Sequence, residues 1–379
     1  MTQRLVFWQN MPSIHQAPLL REAARQWPGE LLVVTEVDVS ADRLAQGWER
    51  PDYSPARLLV CPSAVERRRL VRESTASDVH VFSGFHAYPE TYCTLKQVSR
   101  TDATVGIMVE RGREDDGYRA VLRRLRYDLL ALRWRRRLRF LLATGALGVR
   151  WYQARGFPAE RLLPFGYFVE PPSVGDADAH SAEAAHSLDD PVRVLFVGEL
   201  AYWKGVDLLL RALAGARDMG WRLDVIGEGR EAEAYRGLAD TLGVAGRVRW
   251  LGNQPNAAVR RRMATADVLV LPSRYDGWGA VVNEALGAGT PVIVSDACGA
   301  SDLVREGWRG RVVEARVVEA LRAALEAAIA RGPLPAAARA RIRAWAEAAI
   351  SPTAAAGYLL EGIRYAREGG ARPTPPWRR

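Results

Sequence analysis

Residues 266–304 read ADVLVLPSRYDGWGAVVNEALGAGTPVIVSDACGASDLV. The run Val268–Pro272 is an unbroken apolar segment, as expected of a strand covered on both faces. It delivers Ser273 and then Asp276 to a loop. Gly277 and Gly279 flank Trp278 in that loop and let a backbone come close to a ligand. A helix expected over Ala280–Ala288 points its free N–H groups and positive dipole end at the same place. That is an anion site, suited to a diphosphate. Glu284 lies four residues past the helix start, where its carboxylate can reach back to a ribose diol. Pro291–Ser295 is the next strand.

The same alternation extends on either side. Strands are expected at Val192–Val197, Arg222–Ile226 and Val248–Leu251, with helices at Val206–Ala216, Glu231–Leu242 and Ala257–Thr265. The first strand runs into Gly198 and Glu199, and the second into Gly227-Glu228-Gly229. Beyond about residue 316 the chain is an Ala- and Arg-rich helix. Ser351-Pro352 marks a fresh helix start, an N-cap followed by proline at N1.

Upstream, strands are expected at Arg4–Asn10, Leu31–Val37, Ala56–Pro62, Asp78–Gly84, Thr104–Glu110, Arg139–Ala143 and Leu162–Phe168, with helices such as Gln16–Trp27 and Ser63–Glu73 between them. Residues 170–191, EPPSVGDADAHSAEAAHSLDDP, lack apolar periodicity and read as a linker. The expected organisation is therefore an N-terminal doubly wound α/β domain over 1–169, with a helix over about 352–368 packing back on it. A linker over 170–191 leads to a second α/β domain over 192–350, and a frayed, flexible tail follows over 369–379. Two such domains are expected to face a central cleft, with ligands beyond the carboxyl ends of the strands.

The ordered set of segments resembles the family 4 retaining glycosyltransferases of the GT-B fold. Their signature is an acidic residue, Gly-aromatic-Gly, and a Glu after seven intervening residues. Asp276, Gly277-Trp278-Gly279 and Glu284 fill those places, with Asp276 standing where glutamate is usual. By the resemblance, Asp276 holds the donor sugar's hydroxyls, the backbone of Trp278, Gly279 and Ala280 meets the phosphates, and Glu284 holds the ribose. FVGELAYWKGVDLLLRAL (196–213) is similar to the family's loop in which an arginine and a lysine five residues on hold the pyrophosphate. Lys204 matches the lysine, and Glu199 stands at the arginine's place. Gly198, Gly227 and Gly229 match the family's glycine turns. The resemblance implies retaining transfer of a sugar from a nucleoside diphosphate sugar to an acceptor hydroxyl; two rivals on the same fold are a nucleotide-sugar 2-epimerase and a non-catalytic nucleotide-sugar-binding subunit. No metal or other cofactor is required where Lys204 and a helix end supply the counter-charge.

In the N-terminal half the resemblance is weaker. His15 and Gln16 follow the first expected strand, His86 the fourth and Glu110 the fifth, all at strand carboxyl ends. They are the acceptor-side candidates, and Glu110 occupies the region where the family places a histidine facing the transferred sugar. Asp276, Lys204 and Glu110 are thus the candidates for catalysis.

The chain has 379 residues, a net charge of +9 and no apolar run long enough to span a membrane. Met1-Thr2-Gln3-Arg4-Leu5 leads straight into a strand, so no leader is expected. Three dispersed cysteines fit a reducing cytoplasm. Residues 1–168 hold 26 Lys+Arg against 18 Asp+Glu, so the excess charge sits there. The densest basic run is 119–139, RAVLRRLRYDLLALRWRRRLR, with nine arginines and the single acid Asp128. Tyr118, Val121, Leu122, Leu125, Leu129 and Leu132 recur at helical spacing. Two readings stand: a helix packing that stripe on its own domain, or a helix at an anionic membrane surface, which would make the protein peripheral on the inner face of the cytoplasmic membrane. The absence of a recognised module argues against nucleic acid as a partner. A glycan or lipid-linked acceptor is the expected second substrate.

Overall fold

The computed structural model describes residues 3–40, 50–85, 88–112, 118–170 and 190–379. The chain forms two compact units, Met1–Glu170 with Ser351–Arg379, and Pro171–Ile350.

The N-terminal unit is built on seven parallel strands, β1 (Arg4–Gln9), β2 (Glu30–Thr35), β3 (Arg57–Val60), β4 (Val79–Ser83), β5 (Thr104–Val109), β6 (Phe140–Thr144) and β7 (Leu162–Phe165), in the order β3-β2-β1-β4-β5-β6-β7. The central strands are buried on both faces, which is why they read as continuous apolar runs. Helices α1 (Ala17–Gln26), α2 (Ala64–Arg72), α3 (Pro89–Val98), α4 (Tyr118–Trp134) and α5 (Gly145–Ala154) connect them. Ser63 starts α2 through a capping box: its hydroxyl accepts from the Glu66 N–H, and the Glu66 carboxylate accepts from the Ser63 N–H.

The second unit has six parallel strands, β8 (Val192–Val197), β9 (Trp221–Ile226), β10 (Val248–Trp250), β11 (Val268–Leu271), β12 (Val292–Ser295) and β13 (Gly310–Val313), in the order β10-β9-β8-β11-β12-β13. Its helices are α6 (Val206–Gly215), α7 (Ala232–Thr241), α8 (Asn256–Thr265), α9 (Ala280–Gly287), α10 (Val318–Arg331) and α11 (Ala336–Ile350). The doubly wound pattern thus holds in both units. β13 lacks any sequence expectation because Gly310 opens it and only Val313 of its four residues is buried.

α12 (Pro352–Glu368) belongs to the N-terminal unit and packs along α1. The Ser351 hydroxyl accepts from the Ala354 N–H, and Pro352 fills the first turn. The tail after it departs from the expectation of fraying. Trp377 is 1% exposed, its ring lying 5.6 Å from both Phe168 and Tyr358. A run of polar, proline-rich residues concealed one large aromatic whose burial is worth about 2–3 kcal/mol. Of the expected linker, residues 171–189 lie outside the described residues.

α4 ends at Trp134, short of the basic run's end. Its core-facing side is Ala120, Leu130, Ala131 and Trp134, all buried. The stripe singled out in the sequence is therefore not the one that packs: Tyr118, Val121, Leu122, Leu125, Leu129 and Leu132 are all exposed. Among the described residues no helix is long and apolar enough to cross a membrane.

Candidate functional site

In each sheet the strand order reverses at one place, between β1 and β4 and between β8 and β11. Such a switch point leaves a crevice beyond the strand ends where the two flanking connections diverge.

In the C-terminal unit the connection after β8 carries Gly198, Glu199 and a single turn over Tyr202–Lys204. The connection after β11 carries Arg274 and Asp276. Backbone and side-chain bonds clasp the two together. The Arg274 N–H donates to the Trp203 carbonyl (2.8 Å). Its guanidinium donates to both Asp207 oxygens (2.8 and 2.6 Å) and to the Tyr202 carbonyl (2.8 Å), and lies 4.0 Å over the Tyr202 ring. With the loops so fixed, Lys204 Nζ donates to Asp276 Oδ2 at 2.7 Å. The pair is 21% and 12% exposed, neither sealed nor turned to bulk solvent.

Asp276 itself is held by its backbone. Its N–H donates to the Ala297 carbonyl and its carbonyl accepts from the Gly299 N–H, both at 3.2 Å. Trp278 is buried, and its indole N–H donates to Asn283 Oδ1 at 2.8 Å. The aromatic side chain anchors the loop to α9, so only its backbone is available to a ligand. Gly279 is the N-cap of α9 in the left-handed region (φ 90°), and a Cβ there would stand 2.7 Å from Cys298 Sγ and 2.9 Å from Leu271 Cδ2. Both demands restrict the position to glycine. No side chain caps α9, and its first turn carries no acid. Its leading N–H groups, starting at Ala280, are thus left for an anion.

Glu284 is half-buried one turn along α9. Burial pushes its carboxyl pKa up, with Arg260 acting in the opposite direction. Among the described residues its carboxylate accepts no hydrogen bond. Gly227 follows β9 with φ 129°, and a Cβ there would meet the Gly198 carbonyl oxygen at 2.0 Å. A Cβ on Gly229 would meet the Leu200 carbonyl oxygen at 2.4 Å. Glu199 is exposed. The structure therefore brings Gly198, Lys204, Gly227, Asp276, Gly277, Trp278, Gly279 and Ala280 to one switch point. Arg274, which ties the two loops, escaped the sequence reading because nothing marks it among 51 arginines.

In the N-terminal unit Gln16 accepts from the Gln9 side chain, and His15 is half-buried with its ring 6.3 Å from that of Tyr167. The Tyr167 hydroxyl donates to Glu110 Oε1 at 2.5 Å. His15 and Glu110, from different strand ends, are thereby joined through Tyr167, which no pattern in the sequence marks. His86 lies outside the described residues.

The two sheet orders and this glycine-lined site can now be set beside known proteins. Residues 179–345 match the glycosyl transferases group 1 family. The matched stretch falls within the C-terminal unit. Two curated relatives are similar to part of the chain: a D-inositol 3-phosphate glycosyltransferase of Nocardia farcinica, 36% identical over 148 residues, and a glycogen synthase of Thermus thermophilus, 36% identical over 154 residues. These alignments cover 37% and 40% of this chain, and 33% and 35% of the relatives. The chain thus spans about a third of the length of the curated relatives it matches. Among solved structures, Anabaena Alr3699/HepE in complex with UDP superposes with a TM-score of 0.71 at 16% identity, covering 95% of this chain and 99% of that one. The chain has the GT-B fold, with two Rossmann-like parallel sheets.

Proposed function

We propose that the chain is a retaining glycosyltransferase that moves a sugar from a nucleoside diphosphate sugar to an acceptor hydroxyl, the acceptor being a lipid-linked or polysaccharide intermediate. One observation carries the reading: the 2.7 Å Lys204–Asp276 pair stands at the β8/β11 switch point, with Asp276 on the loop that leads into an uncapped helix N-terminus. The glycosyl transferases group 1 match over the same residues supports it.

On this reading the donor diphosphate lies on the α9 N–H groups from Ala280 onward, with Lys204 as its point charge. These donors neutralise the charge that grows on the leaving nucleoside diphosphate as the glycosidic bond breaks, and they are oriented before the reaction starts. They supply the counter-charge without a metal ion. When phosphate oxygens draw Lys204 away, the Asp276 carboxylate is freed to accept from sugar hydroxyls. Glu284, half-buried and without a hydrogen-bond partner among the described residues, accepts from the ribose diol. Glu110, held by Tyr167, is the acceptor-side carboxylate. The anomeric configuration is kept by front-face attack of the acceptor hydroxyl, as the family resemblance implies.

The test is product analysis by mass spectrometry and NMR after incubation with UDP-, GDP- and ADP-sugars, with and without glycosyl-lipid acceptors. Release of nucleoside diphosphate together with an α-configured glycoside from an α-donor is expected. An epimerised sugar formed without acceptor would assign an isomerase instead. Donor binding with no turnover under any acceptor would assign a binding subunit.

A further inference from the structure

Helix α4 is apolar on two opposite sides. One side, Ala120, Leu130, Ala131 and Trp134, closes the N-terminal core. On the other, Tyr118, Val121, Leu122, Leu125, Leu129 and Leu132 are each between 54% and 69% exposed. At about 100° per residue these six fall within one arc roughly 100° wide, diametrically opposite the buried four. The stripe runs the length of the 17-residue helix, about 25 Å. Apolar side chains scattered singly over a surface need no explanation, but a contiguous band of this kind marks an interaction face.

The flanks of the band identify its occupant. Arg126 and Arg133 line one margin, and both are exposed. At the other margin Asp128, paired with Arg155 at 3.4 Å, stands nearest the band, with exposed Arg124 beyond it. Exposed Arg136 and Arg137 follow the helix end. An apolar band with Arg126 and Arg133 along one side, and Arg124 beyond the ion-paired Asp128 on the other, is complementary to acyl chains bordered by anionic phosphates. A second copy of the chain fits poorly, since pairing two such faces sets arginines against each other with only Asp128, already paired with Arg155, to offset them.

We propose that α4 docks the chain on an anionic lipid surface. The six apolar side chains enter the boundary between headgroups and acyl chains, and Arg124, Arg126 and Arg133 meet the lipid phosphates. The proposal does not rest on the glycosyl-transfer reading, because it concerns a different face of the N-terminal unit. Binding draws on apolar burial and on charge together, so it requires anionic lipid and weakens as salt is added.

Co-sedimentation of the full chain with phosphatidylcholine vesicles, with and without phosphatidylglycerol, tests it. The expected result is binding only where phosphatidylglycerol is present. The double substitution Leu125→Glu/Leu129→Glu lies on exposed positions, leaves the melting temperature unchanged, and lowers the bound fraction at least about tenfold. Arg126→Ser/Arg133→Ser weakens binding and flattens its salt dependence. The proposal is overturned if the wild-type chain stays in the supernatant with anionic vesicles, or if both double variants bind like the wild type. It is also overturned if the wild type is a dimer that Leu125→Glu/Leu129→Glu converts to monomer, which would give the face to a second copy.

Discussion

Replacing Lys204 by alanine removes one of two lysines in the chain and the cation that faces Asp276. Two free energies must be separated. The first is structural. The pair is a single 2.7 Å bond between partly exposed groups, so its loss costs about 0.5–1 kcal/mol of stability. For a unit of this size that lowers the melting temperature by about 2–4 °C. The second is catalytic. A preorganised charge-assisted donor to the departing diphosphate is worth about 3 kcal/mol in the transition state, roughly a hundredfold in kcat. Among the described residues no other cation is paired with Asp276 to take over. The assay is nucleoside diphosphate release at saturating donor and acceptor, alongside a thermal melt of the same sample. The expected outcome is a hundredfold slower turnover in a protein that melts within a few degrees of the wild type. A rate within about threefold of wild type, in a folded protein, would refute the role given to Lys204. A melting point lowered by 10 °C or so would mean that the pair is architectural instead.

Further outcomes follow from neighbouring groups. Donor affinity should fall on acidification at a pH above the usual glutamate range. The raised pKa of Glu284 means that its carboxylate, the form that accepts from the ribose diol, is lost as pH falls through that value, and Glu284→Gln should flatten the dependence measured by calorimetry. Gly227→Ala should destabilise the chain by about 2 kcal/mol or more in urea, because the added methyl meets the Gly198 carbonyl oxygen at 2.0 Å in a left-handed backbone. Burial lowers the His80 pKa to about 4, its neutral ring accepting from the Trp8 indole through Nδ1 and facing the Ser74 hydroxyl through Nε2. The unfolded chain binds this proton near pH 6.5 and the folded one near 4, so stability is full above 6.5 and falls by about 3 kcal/mol as pH drops to 4. Denaturant titrations across that interval should show the loss, and His80→Asn should shrink its slope.

Much of the fold was legible because parallel strands covered on both faces must be continuous apolar runs. Val192–Val197 and Arg4–Gln9 stand out for that reason, whereas the half-exposed edge strand Gly310–Val313 does not. The donor-side residues were legible because glycines and a rare lysine mark places where the backbone has little choice. What escaped was tertiary in origin. Arg274 matters through what it clasps, Tyr167 through a carboxylate from another strand, and Trp377 through two aromatics distant in sequence. The direction of α4 also escaped, since two apolar stripes on one helix compete and periodicity alone cannot say which one the core will take. The core takes Ala120, Leu130, Ala131 and Trp134, and the leucine-rich stripe stays exposed.

The claim most directly open to measurement is that the β8/β11 switch point holds a sugar nucleotide by its diphosphate. Calorimetric titration of the wild-type chain and of Lys204→Ala with UDP, GDP and ADP, each with and without a sugar attached, addresses it. At least one nucleotide should bind the wild type, and its affinity should fall by about tenfold or more in the variant, as the loss of one charge-assisted bond requires. Equal affinity of both proteins for every nucleotide, or no binding by either, would contradict the account.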